Sequence, residues 1–464
     1  MLKFQCQENC GFDDTLSEVA LASRMSTDDC IVRQLDRLSE LDDDFWTFRR
    51  GAARIHAHGL TQYPAMMVPP MQALLLGTVS KIEGRVHSVL DPFAGSGTTL
   101  VECLRLGLNY AGQDINPLAV LLCRTKAGPF HTKLLASVVN EVVDRASSDR
   151  SRRVEADFPG IEKWFSPSAI TELSRLRRAI RLVTHDWCRL VLWTGLAETV
   201  RLTSNSRTST FKLHTRSADD MRSRCVYPLK TFRSIAIEVT ERLHKEAIAL
   251  KEAGHVAPNG WYRGDVVIRL GNTANAVPLG VHDLLVTSPP YGDNTSTVPY
   301  GQYSYLPLQW IDLQDIDENA DTSFLRTTHE IDMRSLGGSR RDAVRDVQHL
   351  LPISPSLNKA LRRLEALPID RAGRVAAFWR DLDASLDPMT DALRSSAYMI
   401  WTVGNRSVGG MPVPTDSILT ELMAARGVLL VKRIERSIPS KRMATRNAIA
   451  STIRGETILV FRKA

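Results

Sequence analysis

The chain has 464 residues and a mass of 51.7 kDa, with 43 % hydrophobic and 24 % charged residues, which excludes a disordered, collagen-like or disulfide-scaffold chain. Its seven cysteines are odd in number and scattered, as expected of free thiols in a reducing cytosol. It has no long apolar run and no apolar signal core at its start, so neither a membrane span nor secretion is expected.

Taken in order, residues 1–60 read as an acidic helical segment, 7 basic against 11 acidic side chains, with Asp42, Asp43 and Asp44 ahead of the aromatic cluster Phe45, Trp46 and Phe48. A loop with Pro64, Pro69 and Pro70 leads into an apolar stretch, 71–79. Residues 87–90 read as a short buried strand and 109–115 as a second, with helical spacing between them at 100–106. From 118 to 254 the pattern is mostly helical, broken by a polar loop at 203–210. That is too long for one crossover, so 125–260 is expected to be an inserted helical domain, and residues 124–230 carry 20 basic against 11 acidic side chains. Strand patterns resume at 266–270 and 281–287. Residues 311–372 are polar, include Gly337-Gly338-Ser339-Arg340-Arg341, and read as a loop-rich insertion. Strands at 397–403, 428–434 and 457–461 complete the set. Strands alternating with helices predict an α/β fold with a mostly parallel sheet. The tail, 431–464, carries 9 basic against 2 acidic side chains. Two basic regions and an acidic start point to a polyanion, most simply nucleic acid, although solvated helix faces give the same count.

Two corners carry chemistry. The first is Asp91-Pro92-Phe93-Ala94-Gly95-Ser96-Gly97-Thr98-Thr99, between a strand and a helix. Gly95 and Gly97 permit a tight turn and close approach of a ligand, and the helix N-terminus after them suits an anionic group. No Gly-Lys-Ser/Thr follows, which disfavours a nucleotide-triphosphate loop. Asp114 closes the next strand, where an acid can take the hydroxyls of a ribose. Asp91 at the strand tip would repel a pyrophosphate and attract an ammonium, which favours S-adenosylmethionine over a dinucleotide. The second corner is Ser288-Pro289-Pro290-Tyr291, after the apolar strand that starts at Asp283. Each proline fixes φ and lacks an N–H, so the carbonyls there are rigid acceptors. Ser288 and the Pro289 carbonyl are suited to accept the two N–H groups of a base amine, and Tyr291 to stack on the base.

The two corners together resemble the S-adenosylmethionine-dependent amino-methyltransferases of DNA, whose cofactor loop reads Asp-Pro-Phe-x-Gly-Ser-Gly-Thr-Thr and whose catalytic loop reads Ser/Asp/Asn-Pro-Pro-Tyr. The likeness covers 61–120 and 261–464 well and 125–260 loosely. It implies a seven-stranded Rossmann-like methyltransferase sheet with a reversed last strand, divided by an inserted helical domain into a cofactor half, 61–124, and a catalytic half, 261–464. It further implies that Asp91, Phe93, Ala94, Gly95, Ser96, Gly97 and Thr98 surround the methionine part of the cofactor, with Tyr63 and Ala65 of Tyr63-Pro64-Ala65-Met66 over that end. Asp114 would take the ribose, Ile115, Asn116 and Pro117 would lie beside the adenine, and Asp265 of Gly264-Asp265 near its amino group. The Ser288 form of the loop is usual in the cytosine-N4 branch, an Asp in the adenine-N6 branch. The implied partner is duplex DNA, with room for a cognate restriction or defence-system nuclease, in a prokaryotic cytoplasm. An RNA base amine is a third reading, disfavoured by the short acidic N-terminal segment.

No cysteine follows a proline, so the covalent chemistry of cytosine-C5 enzymes is not expected, and a base acted on by direct transfer must leave its stack. Arg207 and Lys212, among the hydroxyls of 203–214, and Lys441 and Arg442, between the last two strands, are the expected phosphate contacts. Cys6 and Cys10, even with Cys30, lack a fourth ligand at useful spacing, and no metal is expected. His56 and His58 read as solvated or capping residues, and Trp310 as core. Tyr300, Tyr303 and Tyr305 are candidates for a base pocket.

Overall fold

A computed structural model describes residues 25–42, 44–48, 54–275, 277, 280–294, 297–367, 370–438 and 455–464. The strands are β1 Ser88–Asp91, β2 Asn109–Asp114, β3 Val266–Leu270, β4 His282–Thr287, β5 Leu393–Val403, β6 Arg406–Val408, β7 Met411–Val413, β8 Val428–Ser437 and β9 Gly455–Lys463. Seven of them form one sheet in the order β3-β2-β1-β4-β5-β9-β8, and β6 and β7 make a separate ribbon. The sheet is parallel except for β9, which runs antiparallel to both β5 and β8. The reversed last strand is therefore present, inserted one place in from the edge. Strand order reverses between β1 and β4, and in such sheets the crevice beyond the carboxyl ends at that point is where a ligand fits.

Period-2 alternation assigns the two faces. Val89, Leu284, Val286 and Ile400 pack with the helices Pro69–Glu83 and Thr98–Arg105. Leu90, Leu285, Met399 and Trp401 pack on the other face with the helices Pro355–Glu365, Ala372–Asp391 and Thr415–Ala424. Neighbours in sequence thus enter opposite cores, as a pleat requires, and both faces of the central strands are buried, as in other parallel sheets.

The long helices between β2 and β3 do form. They do not make a core of their own: their buried side chains are continuous with the helix Pro117–Lys126 and with Tyr303, Leu306 and Trp310 of the catalytic half. Trp187 Nε1 donates to the Thr125 carbonyl at 3.0 Å. Much of the basic excess counted in 124–230 is neutralised inside the molecule. Arg177 and Arg181 reach Asp312, Arg189 reaches Asp315, and Arg124 reaches Asp317. Net charge counted over a sequence window misses acids supplied from elsewhere in the chain.

Two smaller expectations change. Part of 311–372 is helical: Leu357, Ala360, Leu361 and Leu364 are buried on one side of Pro355–Glu365, and the Ser354 hydroxyl accepts the Leu357 N–H at 3.1 Å, an N-cap followed by an i, i+3, i+4 stripe. His58 is fully buried, not solvated, with Nε2 2.5 Å from Glu102 Oε1; burial drives its pKa down to about 2. Trp310 is core, edge-on to Phe165 at 5.6 Å. No helix among the described residues is long and apolar enough to cross a membrane. Cys6, Cys10, Lys441 and Arg442 lie outside the described residues.

Candidate active site

A cavity of roughly 310 Å³ opens at the carboxyl end of the sheet and is lined by both corners: Phe93 to Ser96 and Thr98 from the first, Ser288 and Pro290 from the second. The register explains the meeting. Leu90 of β1 pairs with Leu285 of β4, so the loops that leave these strands start side by side. Thr287 Oγ1 then donates to Asp91 Oδ1 at 2.8 Å, joining the last residue of β4 to the tip of β1.

Gly95 and Gly97 both have positive φ, +51° and +74°, and Gly97 is the N-cap of Thr98–Arg105. A Cβ on Gly95 would meet nothing closer than the Phe93 carbonyl at 3.9 Å, so the loop leaves space in front of its backbone. The Gly95 N–H is held by Asp114 Oδ2 at 2.8 Å, and Asp114 Oδ1 takes the Asn116 N–H at 2.9 Å. Burial raises the Asp114 pKa to about 6 against those hydrogen bonds. Asn116 lines the cavity but its amide is fully used: Oδ1 caps Leu118, and Nδ2 donates to Tyr63 OH at 3.0 Å and Ser304 Oγ at 2.8 Å. Tyr63, Ala65, Asp114, Ile115 and Asn116 all line the cavity. An apolar wall (Met66, Phe93, Ala94, Ile115), an open glycine turn at a helix N-terminus and a carboxylate at the next strand fit the methionine and nucleoside parts of S-adenosylmethionine.

Several expected residues lie elsewhere. Asp265 is exposed and precedes β3; its N–H binds Asn109 Oδ1 at 2.8 Å, at the amino edge of the sheet. β3 runs parallel to β2, so a residue ahead of β3 cannot stand beside Asp114, and the adenine contact expected of Asp265 is corrected. The segment that does stand there is Gly271 to Ala274, after the carboxyl end of β3. The rule that parallel strands present ligands at their carboxyl ends points to Gly271-Asn272-Thr273 instead. Asp91 is fully buried beneath the loop; Oδ1 also takes the Phe93 N–H at 3.3 Å, Oδ2 has no partner, and burial lifts its pKa to about 7. Gly97 and Pro117 support the wall from behind and do not line it.

At the second corner the Ser288 hydroxyl has two oxygens near it, the Thr402 carbonyl at 3.0 Å and Tyr291 OH at 3.3 Å. Its single hydrogen goes to the closer, which leaves its lone pairs to accept. Tyr291 does not line the cavity: its ring lies against Gly404, where a Cβ would collide with it, and its hydroxyl donates to Glu456 Oε1 at 2.9 Å. Pro289 is buried behind the wall. Of the three tyrosines that follow the loop, Tyr300 lines the cavity, packed on Tyr63 at 5.7 Å; Tyr303 and Tyr305 do not line it. The far wall comes from residues the sequence did not single out as a site, Asn294, Ile331, Met333 to Leu336, Ser339, Arg380, Asp381 and Ala384. Gly337 N donates to Asp381 Oδ2 at 2.8 Å and Arg380 Nη2 to the Ser339 carbonyl at 2.9 Å, binding these segments together.

Arg207 is exposed on a loop closed by its own N–H to the His214 carbonyl at 2.8 Å. Phe211 of that loop packs on Tyr303 at 5.7 Å, and Tyr303 on Tyr63 at 5.9 Å, so the loop with Arg207 and Lys212 sits on the helix that carries Tyr300 into the cavity. Among the described residues no group of acids, histidines and cysteines is set to hold a metal.

Comparison with known proteins bears on most of the chain. The family model described as a DNA methylase matches residues 44–123, the span that holds Tyr63, the glycine corner and Asp114. The Type II methyltransferase M.MvaI of Kocuria varians is 28 % identical over 445 residues, 91 % of this chain and 94 % of that protein. The Type II methyltransferase M.MjaII of Methanocaldococcus jannaschii is 30 % identical over 90 residues, 19 % of this chain and 16 % of that protein.

Proposed function

We propose that the chain is an S-adenosylmethionine-dependent DNA amino-methyltransferase, as its likeness to DNA methylases supports, and that it methylates the N4 amine of cytosine at a specific site in duplex DNA, as the modifying member of a restriction-modification pair. The observation that carries this is Ser288, which lines the cavity together with the glycine corner and whose hydroxyl hydrogen is taken by the Thr402 carbonyl, leaving the oxygen to act as an acceptor. An exocyclic amine is a donor of two N–H groups, and an acceptor fixed against it turns its lone pair away from the ring and toward the methyl carbon. When bound, the cofactor would supply that carbon as the methyl of a sulfonium, whose carbon–sulfur bond would break as the amine nitrogen bonds the methyl, the amine's proton leaving to solvent.

The chain's own residues do the positioning. Phe93 to Ser96 and Thr98 would hold the methionine part and Asp114 the ribose, with Ile115 and the Gly271 to Ala274 turn flanking the adenine. Positioning of this kind accounts for most of the acceleration in a direct transfer. Serine at the head of the catalytic loop, rather than aspartate, is what favours cytosine. The test uses labelled cofactor with duplex DNA and with RNA, then digestion to nucleosides. N4-methylcytosine is expected. N6-methyladenine would replace the cytosine reading with the adenine one, and label confined to RNA would overturn both.

A further inference from the structure

The rim of the cavity carries an apolar side chain that the transfer chemistry does not use. Met333 lines the cavity together with Ser288 and Tyr300, yet it is 58 % exposed. Single exposed apolar residues are ordinary on a protein surface. Its place sets this one apart: among the described residues, no other large apolar side chain both stands exposed and borders the cavity. The Met333 carbonyl and Cα lie against Gly338, where any Cβ would collide with them, and Gly338 does not line the cavity. The side chain is therefore the part that reaches the rim, and it marks where the cavity opens to solvent.

The backbone beneath it is held from both sides. Asp332, the preceding residue, is buried and its Oδ1 accepts the Gly301 N–H at 2.9 Å. Arg334, the following one, gives Nε to Glu330 Oε1 and Nη2 to Ser323 Oγ, each at 2.9 Å, and lays its guanidinium 4.2 Å over the ring of Phe324. The Met333 N–H itself donates to the His329 carbonyl at 2.8 Å. Both neighbours are anchored to the protein and Met333 alone projects between them. Beside it runs 339–341, where Ser339 also lines the cavity and Arg340 and Arg341 are exposed. Arg380 fixes this stretch through the Ser339 and Arg341 carbonyls at 2.9 and 3.0 Å. Among the described residues Arg340 makes no ion pair, and Arg341 has only the half-exposed Asp342 at 3.6 Å. An apolar tip next to two little-compensated cations suits a duplex, with stacked bases inside and phosphates outside.

A base that enters this cavity from a duplex leaves a gap in its stack at the mouth. An unbranched apolar side chain fits between bases, and such wedges recur in proteins that unstack DNA. We propose that Met333 is that wedge: as the target base turns into the cavity, the Met333 thioether enters the vacated place in the helix, with Arg340 and Arg341 on the phosphates beside it. The energy that Met333 recovers is the stacking lost by the departing base, so its effect is confined to a target that is still paired. The inference rests on the base-amine reading of Ser288 and goes beyond it in giving the opening of the duplex to a residue outside both motifs.

The test begins with the nucleoside that the wild-type protein methylates and the site in which it lies. Two duplexes of that site are made, one fully paired and one mismatched at the target base, and binding is measured with S-adenosylhomocysteine present. A third, with 2-aminopurine at the target position, reports unstacking by its fluorescence. Met333→Ala is expected to weaken binding of the paired duplex roughly tenfold and to cut the fluorescence rise, while the mismatched duplex, already open, loses less than about threefold. Met333→Leu, which keeps the volume, is expected to stay within about twofold of the wild type on both, and S-adenosylhomocysteine to bind each variant within about twofold. The unchanged affinity for that ligand reports that the variants are folded. Equal losses on the paired and mismatched duplexes would make Met333 an ordinary DNA contact and overturn the proposal, as would no loss on either. Weakened S-adenosylhomocysteine with both duplexes bound as before would make Met333 a cover for the cofactor and also overturn it. No methylated DNA nucleoside from the wild type would overturn the reading of Ser288 itself, and the wedge with it.

Discussion

The two ends of the cavity are built in opposite ways. At the cofactor end, residues 92–98 supply most of one wall, and the geometry is local: two positive-φ glycines, a helix N-terminus and one carboxylate from the neighbouring strand. At the base end, single residues arrive from 288–294, 300, 331–339 and 380–384, and only long-range contacts hold them together. A wall made by one turn is written in a contiguous motif. A wall made by the meeting of four segments is written nowhere in particular, although its chemistry is equally specific.

The sharpest way to test that contrast is to remove one group from each end and ask whether binding and transfer separate. Ser288→Ala is expected to lower the single-turnover rate on the order of 10²–10³-fold, as loss of one preorganised hydrogen-bonding group does, with cofactor Kd within about twofold. A near-normal rate would show that the amine is held by something else. Asp114→Ala is the converse. It removes the acceptor for the Gly95 and Asn116 N–H groups as well as the proposed ribose contact, and cofactor Kd should rise roughly 10- to 100-fold, with the rate at saturating cofactor little changed. If both variants lost both properties together, the cavity would be one cooperative unit and the division into two ends would fail.

A smaller effect concerns the surface beside the base end. Arg207→Ala with Lys212→Ala should weaken duplex binding roughly tenfold and reduce the slope of log K against log salt by about 2, near 0.9 for each phosphate no longer neutralised. An unchanged slope would return the loop to an ordinary solvated turn. The loop's position on the helix of Tyr300, through Phe211 and Tyr303, is what makes the larger change the expected one.

How much of this is legible in the sequence follows the same division. The positions of the strands and the glycine corner follow from alternation, turn residues and motif spacing, all of which act over a few residues, whereas the seven-stranded sheet with its reversed β9 is implied only by the family resemblance that the two motifs carry. The expectation for Asp265 fails because an acid next to a strand says nothing of a ligand until the end of the strand it occupies is known. The motif alone sets Tyr291 against the base, but the approach of Gly404 and the hydroxyl of Tyr291 on Glu456, a residue 165 positions later, depend on the pairing of β5 with β9. The basic excess of the insertion misleads for the same reason, since Asp312, Asp315 and Asp317 neutralise part of it from another segment.

Asp91 joins the two ends, and its titration tests what the joint is made of. The carboxyl titrates near 3.8 when exposed in the unfolded chain, and burial lifts it to about 7 in the folded protein. Between those values the folded state holds a proton that the unfolded state has released, so stability falls as pH rises from about 4 to about 7 and levels off above it. Asp91→Asn fixes the neutral form. Glu102 and Asp332, also raised to about 7 by burial, act in the same direction but are common to both proteins and cancel in the difference. The Tm of the variant relative to wild type is therefore expected to climb from pH 5 to pH 8, measured without cofactor. A difference that stays flat would mean that Asp91 is already charged when folded. Its unpartnered Oδ2 would then be a buried anion beneath the glycine turn, which is the condition under which it could attract the cofactor's ammonium and not merely brace Thr287 against Phe93.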